Sequence, residues 1–347
     1  MLAYVLTVAG AIFLSWVIKL NKDRKIHWIV NTILLIVLIG GLAALIGFRY
    51  GVGTDFFAYK RMFDVTKDDT WSEIFSRGEP GIRIVLRLVA YLTDNYSWYM
   101  FACAVIATGI PIIVIYRNSE NFVLSVAIYL FATYLGQCNG MRQCLAVAVV
   151  FGGYRFIIKK KFFFFLIFAL IGSLFHVSAI FSIPIYFIQT SKPSWTNTLI
   201  ILLGAILLRF SYGIFENAVS FLRDEEFTAG AYAEQSVNIL RIAAMVGPAI
   251  IITPLRPKMI QEKSAAVNMI LANACVAICM SGSAYFARLG MFTDMFLCMA
   301  IPSIFTKYGE RDRGFVVFAA IICYAIYFYA NASMSGSLTP YVSVFQL

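Results

Sequence analysis

The chain has 347 residues, of which 61% are hydrophobic and 13% charged, with a mean hydropathy of +0.81. A soluble globular surface needs about 25% charged residues, so this composition excludes a water-soluble protein and points to an integral membrane protein. The net charge of +10 fits basic cytoplasmic loops and an anionic lipid substrate, and does not require nucleic acid.

Apolar runs near the ~20 residues that span a bilayer recur along the chain, helical in character and without the alternation of barrel strands. They predict membrane helices at about 2–20, 26–48, 95–116, 121–137, 141–158, 162–188, 195–212, 238–255, 264–283, 285–305 and 314–330. The first run lacks a basic leader and a small-residue cleavage site, and reads as a retained helix. Basic clusters at Lys22-Asp23-Arg24-Lys25, Arg117, Arg155 with Lys159-Lys160-Lys161, Arg256 to Lys263 and Lys307 to Arg313 mark the cytoplasmic side. The mixed 49–79 stretch sets Asp55, Asp64, Asp68, Asp69, Glu73 and Glu79 against five Lys or Arg, and is expected outside, as is the tail from Asn331. Counting forward from Lys161 and backward from Arg256 puts 213–237 on opposite sides. Either one segment within 162–212 is re-entrant or 214–222 dips into the bilayer.

Residues 80–93 are too short to span. Pro80 suits a first helical position, and Arg83 and Arg87 follow Glu79 at four-residue steps opposite Ile and Leu. This predicts a short amphipathic helix at the outer surface. The expected organisation is one integral membrane domain over 1–347, with an outer loop at 49–94 and a second polar loop at 213–237. The seven cysteines (Cys103, Cys138, Cys144, Cys275, Cys279, Cys298 and Cys323) lie in or at the ends of apolar runs. They read as packing residues, since no Cys-x-x-Cys pair or ligand spacing suggests a metal.

Ionisable groups in or beside spans mark function. Arg49 ends the second helix, ahead of a Gly51-Val52-Gly53-Thr54-Asp55 turn with exposed N–H groups. Asn139 can cap the helix that opens with Met141-Arg142-Gln143. That leaves Arg142 in a first turn, where the dipole favours an anion. Arg288 begins another inward helix. His176 stands about 15 residues after Lys161, some ~22 Å of helix rise into the bilayer. Arg49, Arg142, His176 and Arg288 therefore share one outer level.

Three arginines and a histidine without a carboxylate pair do not suit a glycosidase. They suit a diphosphate held by guanidiniums, with a neutral His accepting a hydroxyl proton. The chemistry is transfer from a lipid diphosphate to an alcohol. Asp55 and Tyr59, four apart, are placed to orient a sugar hydroxyl. No metal and no cofactor is expected.

The chain resembles the EpsG family of Wzy-type polysaccharide polymerases. The resemblance rests on Arg49-Tyr-Gly-Val-Gly53-Thr-Asp55 with Tyr59, Glu79-Pro80-Gly81, Met141-Arg142-Gln143 with Ala146, Phe175-His176-Val-Ser178-Ala179, a late Arg288, and Thr339-Pro340-Tyr341. The late Arg is the loosest match, because only Phe292 follows it. The resemblance implies an all-α, polytopic membrane protein of about ten or eleven transmembrane helices in a GT-C- or ligase-like bundle. It implies an enzyme of the bacterial inner or plasma membrane that joins repeat units built on undecaprenyl diphosphate at the outer face, by metal-independent inverting transfer. His176, Arg142 and Arg288 are then the catalytic candidates. Arg49, Gly53, Asp55, Tyr59, Glu79 and Gln143 are the substrate-binding ones. The partners it implies are the lipid-linked oligosaccharide as donor and acceptor, membrane lipid, and a chain-length regulator protein. Two other readings share the intramembrane cations. A flippase should show internal repeats and broken helices in matching halves, and neither is found. A membrane O-acyltransferase accounts for the histidine but not for the three arginines.

Overall fold

A computed structural model describes residues 1–21, 27–191, 194–210, 239–252, 263–282, 288–305 and 310–346, and the regular elements among them are all helices. Apolar runs bury their backbone polar groups within one segment, which only a helix achieves in hydrocarbon. The helices are α1 (Leu2–Asn21), α2 (His27–Gly47), α3 (Phe56–Thr66), α4 (Trp71–Ser76), α5 (Pro80–Ala90), α6 (Tyr96–Asn118), α7 (Phe122–Ala132), α8 (Met141–Gly152), α9 (Tyr154–Ile158), α10 (Phe162–Ser173), α11 (Ser182–Thr190), α12 (Trp195–Phe210), α13 (Ile239–Ile252), α14 (Ser264–Cys279), α15 (Met291–Phe305) and α16 (Glu310–Met334). Among the described residues, five helices are long and apolar enough to cross a bilayer, and six shorter apolar ones accompany them. The protein is an all-α, polytopic membrane protein.

Burial separates centre from rim. The span Arg288–Phe305 is 78% buried and α6 56%, against 22% for Arg313–Met334 and 28% for α1. α6 lies among α2, α5 and α8, and α15 among α7, α8 and α14. The outer helices turn Leu6, Phe13, Ile36 and Phe318 outward, as expected of a lipid-facing surface. Of the cysteines, Cys323 alone is exposed and all seven are free.

Contacts tie the loops into two ends. At one end, Lys263 and Ser303 both reach the carboxylate of Glu120. At the other, residues 48–53 meet 335–346: Tyr50 N–H donates to Val342 O (2.8 Å), Gly53 N–H to Ser337 O (2.7 Å) and Val344 N–H to Phe48 O (2.9 Å).

Several predicted boundaries shift for local reasons. The 49–79 stretch contains α3 and α4. α4 is closed by a capping box in which Thr70 Oγ accepts from Glu73 N–H and the Glu73 carboxylate accepts from Thr70 N–H. α3 and α5 press Phe56, Phe63, Ile82 and Leu86 onto Tyr99 and Met100 of α6. The 121–137 run leaves the α form at Ala132 and continues as a 3-10 turn, Tyr134–Cys138. The 141–158 run breaks at Gly153 into α8 and α9.

The largest correction concerns 162–188, which is two helices and not one span. Phe162 packs against Phe187 (5.1 Å) and Phe165 stacks on Tyr186 (5.0 Å), so α10 and α11 fold back on each other with the start of α10 beside the end of α11. The break is built in. His176 is extended (φ −160°) and its ring accepts from Ser178 N–H, which starts a 3-10 turn at Val177–Phe181. Pro184 lies in the first turn of α11, where an N–H is not needed. A single helix would lose a hydrogen bond there. The hairpin fits the first of the two alternatives left by the count of sides, a re-entrant segment within 162–212, and it returns the chain at Ser191 to the end where it left at Lys161. The 213–237 loop and the alternative dip at 214–222 lie outside the described residues.

Candidate functional site

Arg49 ends up inside the protein. Its side chain is fully buried, and it donates through Nε to Val52 O (2.9 Å), through Nη1 to Ile46 O and through Nη2 to Cys138 O (3.4 Å). The guanidinium lies over the Phe56 ring at 6.0 Å. One cation thus answers the last carbonyls of α2, the following turn and the 3-10 turn before α8. Such a group reads as a staple for the fold. Gly53 belongs to the same joint. Its φ is +91°, and a Cβ there would sit 2.1 Å from Cys138 O, so only glycine fits. Asn139 does not cap α8, whose N-cap is Gly140. Its Oδ1 instead accepts from Thr54 N–H at 2.9 Å, which fastens the 53–55 turn to the start of α8. Asp55 precedes α3 and its Oδ1 accepts from Thr54 Oγ at 3.0 Å.

Glu79 joins the next pieces. Its Oε2 accepts from Arg142 Nη1 at 2.6 Å, and its Oε1 lies 3.8 Å from His176 Nε2. The carboxylate also puts a negative charge beside the first turn of α8, which resolves the unfavourable placing of Arg142 there. Glu79 has φ +59° and ψ +59°, a left-handed backbone that is rare outside glycine and more restricted still before Pro80. Unlike Arg83 and Arg87, it therefore leaves the helix face and turns to the cluster. Gly81 N–H donates to Leu174 O at 2.8 Å, where a Cβ would meet that oxygen at 2.9 Å. The Glu-Pro-Gly sequence thus bends the chain, starts α5 and seats it on the tip of the α10–α11 hairpin.

The network continues. His176 Nδ1 is 2.6 Å from Ser178 Oγ and 3.2 Å from Ser178 N. Gln143 Nε2 donates to Arg288 O at 3.0 Å and approaches Ser178 Oγ at 3.5 Å. Arg142, Glu79, His176, Ser178, Gln143 and the Arg288 backbone therefore form one chain of polar contacts. Below it, Tyr59 is buried and its hydroxyl accepts from Arg142 N–H at 3.3 Å. Burial pushes this phenol up from its ordinary range, so it stays protonated. The side chains of Arg142, Glu79 and His176 remain 45%, 19% and 24% exposed, which leaves the cluster open to a ligand.

Of the predicted residues, Arg142, His176 and Glu79 meet directly, Gln143 joins through Ser178, and Arg288 through its carbonyl. Tyr59 lies beneath them, and Arg49, Gly53 and Asp55 shape the neighbouring joint. Ser178 was missed as a site residue. The signal was its position two after His176, the spacing at which a hydroxyl reaches back to its own backbone turn. The cluster combines a cation, an imidazole and a carboxylate, a set able to bind an anion and move a proton. Among the described residues, no three His, Cys, Asp or Glu side chains converge as a metal would require. No curated protein and no solved structure matches the chain. The sequence model of the EpsG family matches residues 4–343.

Proposed function

The chain belongs to the EpsG family, and from that premise we propose that it joins oligosaccharide repeat units carried on undecaprenyl diphosphate into a surface polysaccharide. Family membership supports a polysaccharide-polymerase-like role in general. The observation that carries the finer reading is the meeting of Arg142, Glu79 and His176 at one end of a membrane bundle, with Gln143 bonded to the Arg288 backbone.

In this reading the enzyme sits in the bacterial inner or plasma membrane with the cluster facing outward. Arg142 and Arg288 hold the donor's diphosphate. With the acceptor bound, the ring takes the tautomer that gives Nδ1–H to Ser178 Oγ in place of the bond it accepts from Ser178 N–H, which frees the Nε2 lone pair for the acceptor. The acceptor hydroxyl gives its proton to Nε2 as its oxygen bonds to the anomeric carbon. The bond from that carbon to the diphosphate breaks on the opposite face, and the configuration inverts. Glu79 stabilises the imidazolium and steadies Arg142. A positioned base contributes about 10²–10⁴-fold.

The test uses purified protein in nanodiscs with a lipid-linked repeat unit and no acyl donor or gradient. A ladder of longer chains is expected from the native protein and none from Arg142→Ala at equal expression. Movement of lipid without elongation would make it a flippase, and a gain of acyl mass an acyltransferase. Unchanged chain lengths in Arg142→Ala would remove Arg142 from the site.

A further inference from the structure

A second polar group lies next to the Arg288 turn. Asp294 on α15 is almost fully buried and faces Arg241 on α13, with Nη2 to Oδ2 at 3.3 Å. Asn273 of α14 donates to the other oxygen, Oδ1, at 2.7 Å. A buried carboxylate inside a bundle needs such partners, and here it fixes where a cation is held. Arg241 nevertheless keeps 28% exposure. Gly290 adjoins the pair: a Cβ there would lie 3.7 Å from Arg241 Nη2 and 3.7 Å from Asp294 Oδ1. The polar chain through Gln143 ends on Arg288, two residues from Gly290. The Arg241 pair is therefore continuous with the site described above.

Arg241 lines a small cavity with Met245 and Gly290, and beside it a separate apolar groove of about 480 Å³ runs between α13 and α16. It begins at Leu240, passes Gly247 and ends at Ile252, facing Tyr327, Ala320 and Phe315 in turn. The twelve steps of helix rise from Leu240 to Ile252 make it about 18 Å long. Its edges are exposed, as at Ile251, Phe315 and Ile326, so it opens to the lipid around the bundle. A groove that is hydrocarbon along its length, with the Arg241 cation next in the chain to Leu240 at its end, matches an amphiphile with an anionic head.

We propose that this groove holds the polyprenyl chain of the lipid-diphosphate substrate, with Arg241, positioned by Asp294, at the level of its phosphates. The inference rests on the proposed glycosyl transfer and adds where the lipid lies. It makes Arg241 a third binding arginine besides Arg142 and Arg288, and gives the donor a lateral path from the bilayer to the cluster.

The test is photolabelling of the full chain in nanodiscs by an undecaprenyl diphosphate analogue with a diazirine on its terminal isoprene. Label is expected on α13 and α16. Unlabelled undecaprenyl diphosphate should compete it away, whereas excess phosphatidylglycerol should not. Gly247→Phe should cut the labelling about tenfold, because a Cβ at Gly247 meets nothing within 4 Å and the added ring has the groove to fill. Ala320→Phe tests the facing wall in the same way. Arg241→Lys keeps the pair with Asp294 but loses the planar fork, and should weaken binding about tenfold. Saturable labelling on other helices would overturn the groove and leave glycosyl transfer standing. Equal competition by phosphatidylglycerol would make it a crevice for bulk lipid and overturn the proposal. Absence of any saturable binding would overturn both readings.

Discussion

Replacing Glu79 separates what its backbone costs from what its carboxylate does. A left-handed backbone costs an L-residue roughly 1–2 kcal/mol. Glu79→Ala keeps that cost and removes the partly exposed ion pair with Arg142 (2.6 Å, side chains 45% and 19% exposed). Solvent screening limits such a pair to about 0.2–1 kcal/mol, so Glu79→Ala should be slightly less stable than the native protein. Glu79→Gly loses the same pair and relieves the backbone, while the freer unfolded chain takes back roughly 0.4–1 kcal/mol. The glycine variant should therefore exceed the alanine variant by about 0.5 kcal/mol. Activity should fall alike in both, because Arg142 and His176 lose the group between them. A hydrogen bond to a charged group contributes about 1.5–3 kcal/mol, which corresponds to about a 10- to 150-fold loss of elongation rate. Thermal unfolding of the two purified variants, with elongation measured on the same preparations, tests both halves. Glycine no more stable than alanine would refute the strain, and full elongation in either would refute the bridge.

His176→Ala should lower turnover by at least about 10²-fold while donor affinity changes little; equal loss of both would make the ring structural. Arg49→Lys should lower stability, since a lysine cannot reach three carbonyls with a planar fork and each charged hydrogen bond is worth about 1.5–3 kcal/mol. A raised KM with unchanged thermal stability would instead return Arg49 to substrate binding. Gly53→Ala should disrupt the joint with Cys138 and reduce folded yield in detergent-solubilised membranes, and native yield would contradict the close approach.

Much of this was legible because hydropathy is a local property. The long spans, the short helix at Pro80 and the shared level of Arg142 and His176 all follow from spacing and apolar length. The hairpin was half legible: the side count allowed a re-entrant segment within 162–212, but hydropathy runs unbroken from Phe162 to Ile188, and only Pro184 and the polar His176 mark the reversal. The contacts of Arg49 were not legible. A guanidinium at the end of an apolar run has the same sequence signature whether it meets an anion or three carbonyls. Its partner Cys138 is 89 residues away, and no periodicity reports that distance. Asn139 misled for a related reason. Its position before a helix fits a cap, yet Thr54, distant in sequence, offered the competing donor. The Glu79 bridge was hidden by its backbone, since a four-residue repeat assumes helical φ where the chain is left-handed.

The joining of residues 48–53 to 335–346 has a consequence for biosynthesis. Tyr4 donates to Leu338 O across 334 positions, and Arg49 pairs with Ser343. At 5–20 residues per second, roughly 15–60 s of translation separate Arg49 from its closing partner. During that interval the early helices stand in the membrane with this joint unfinished. A nascent chain stalled before Ser337 should leave it open to protease, because Gly53 N–H then lacks the carbonyl that accepts from it.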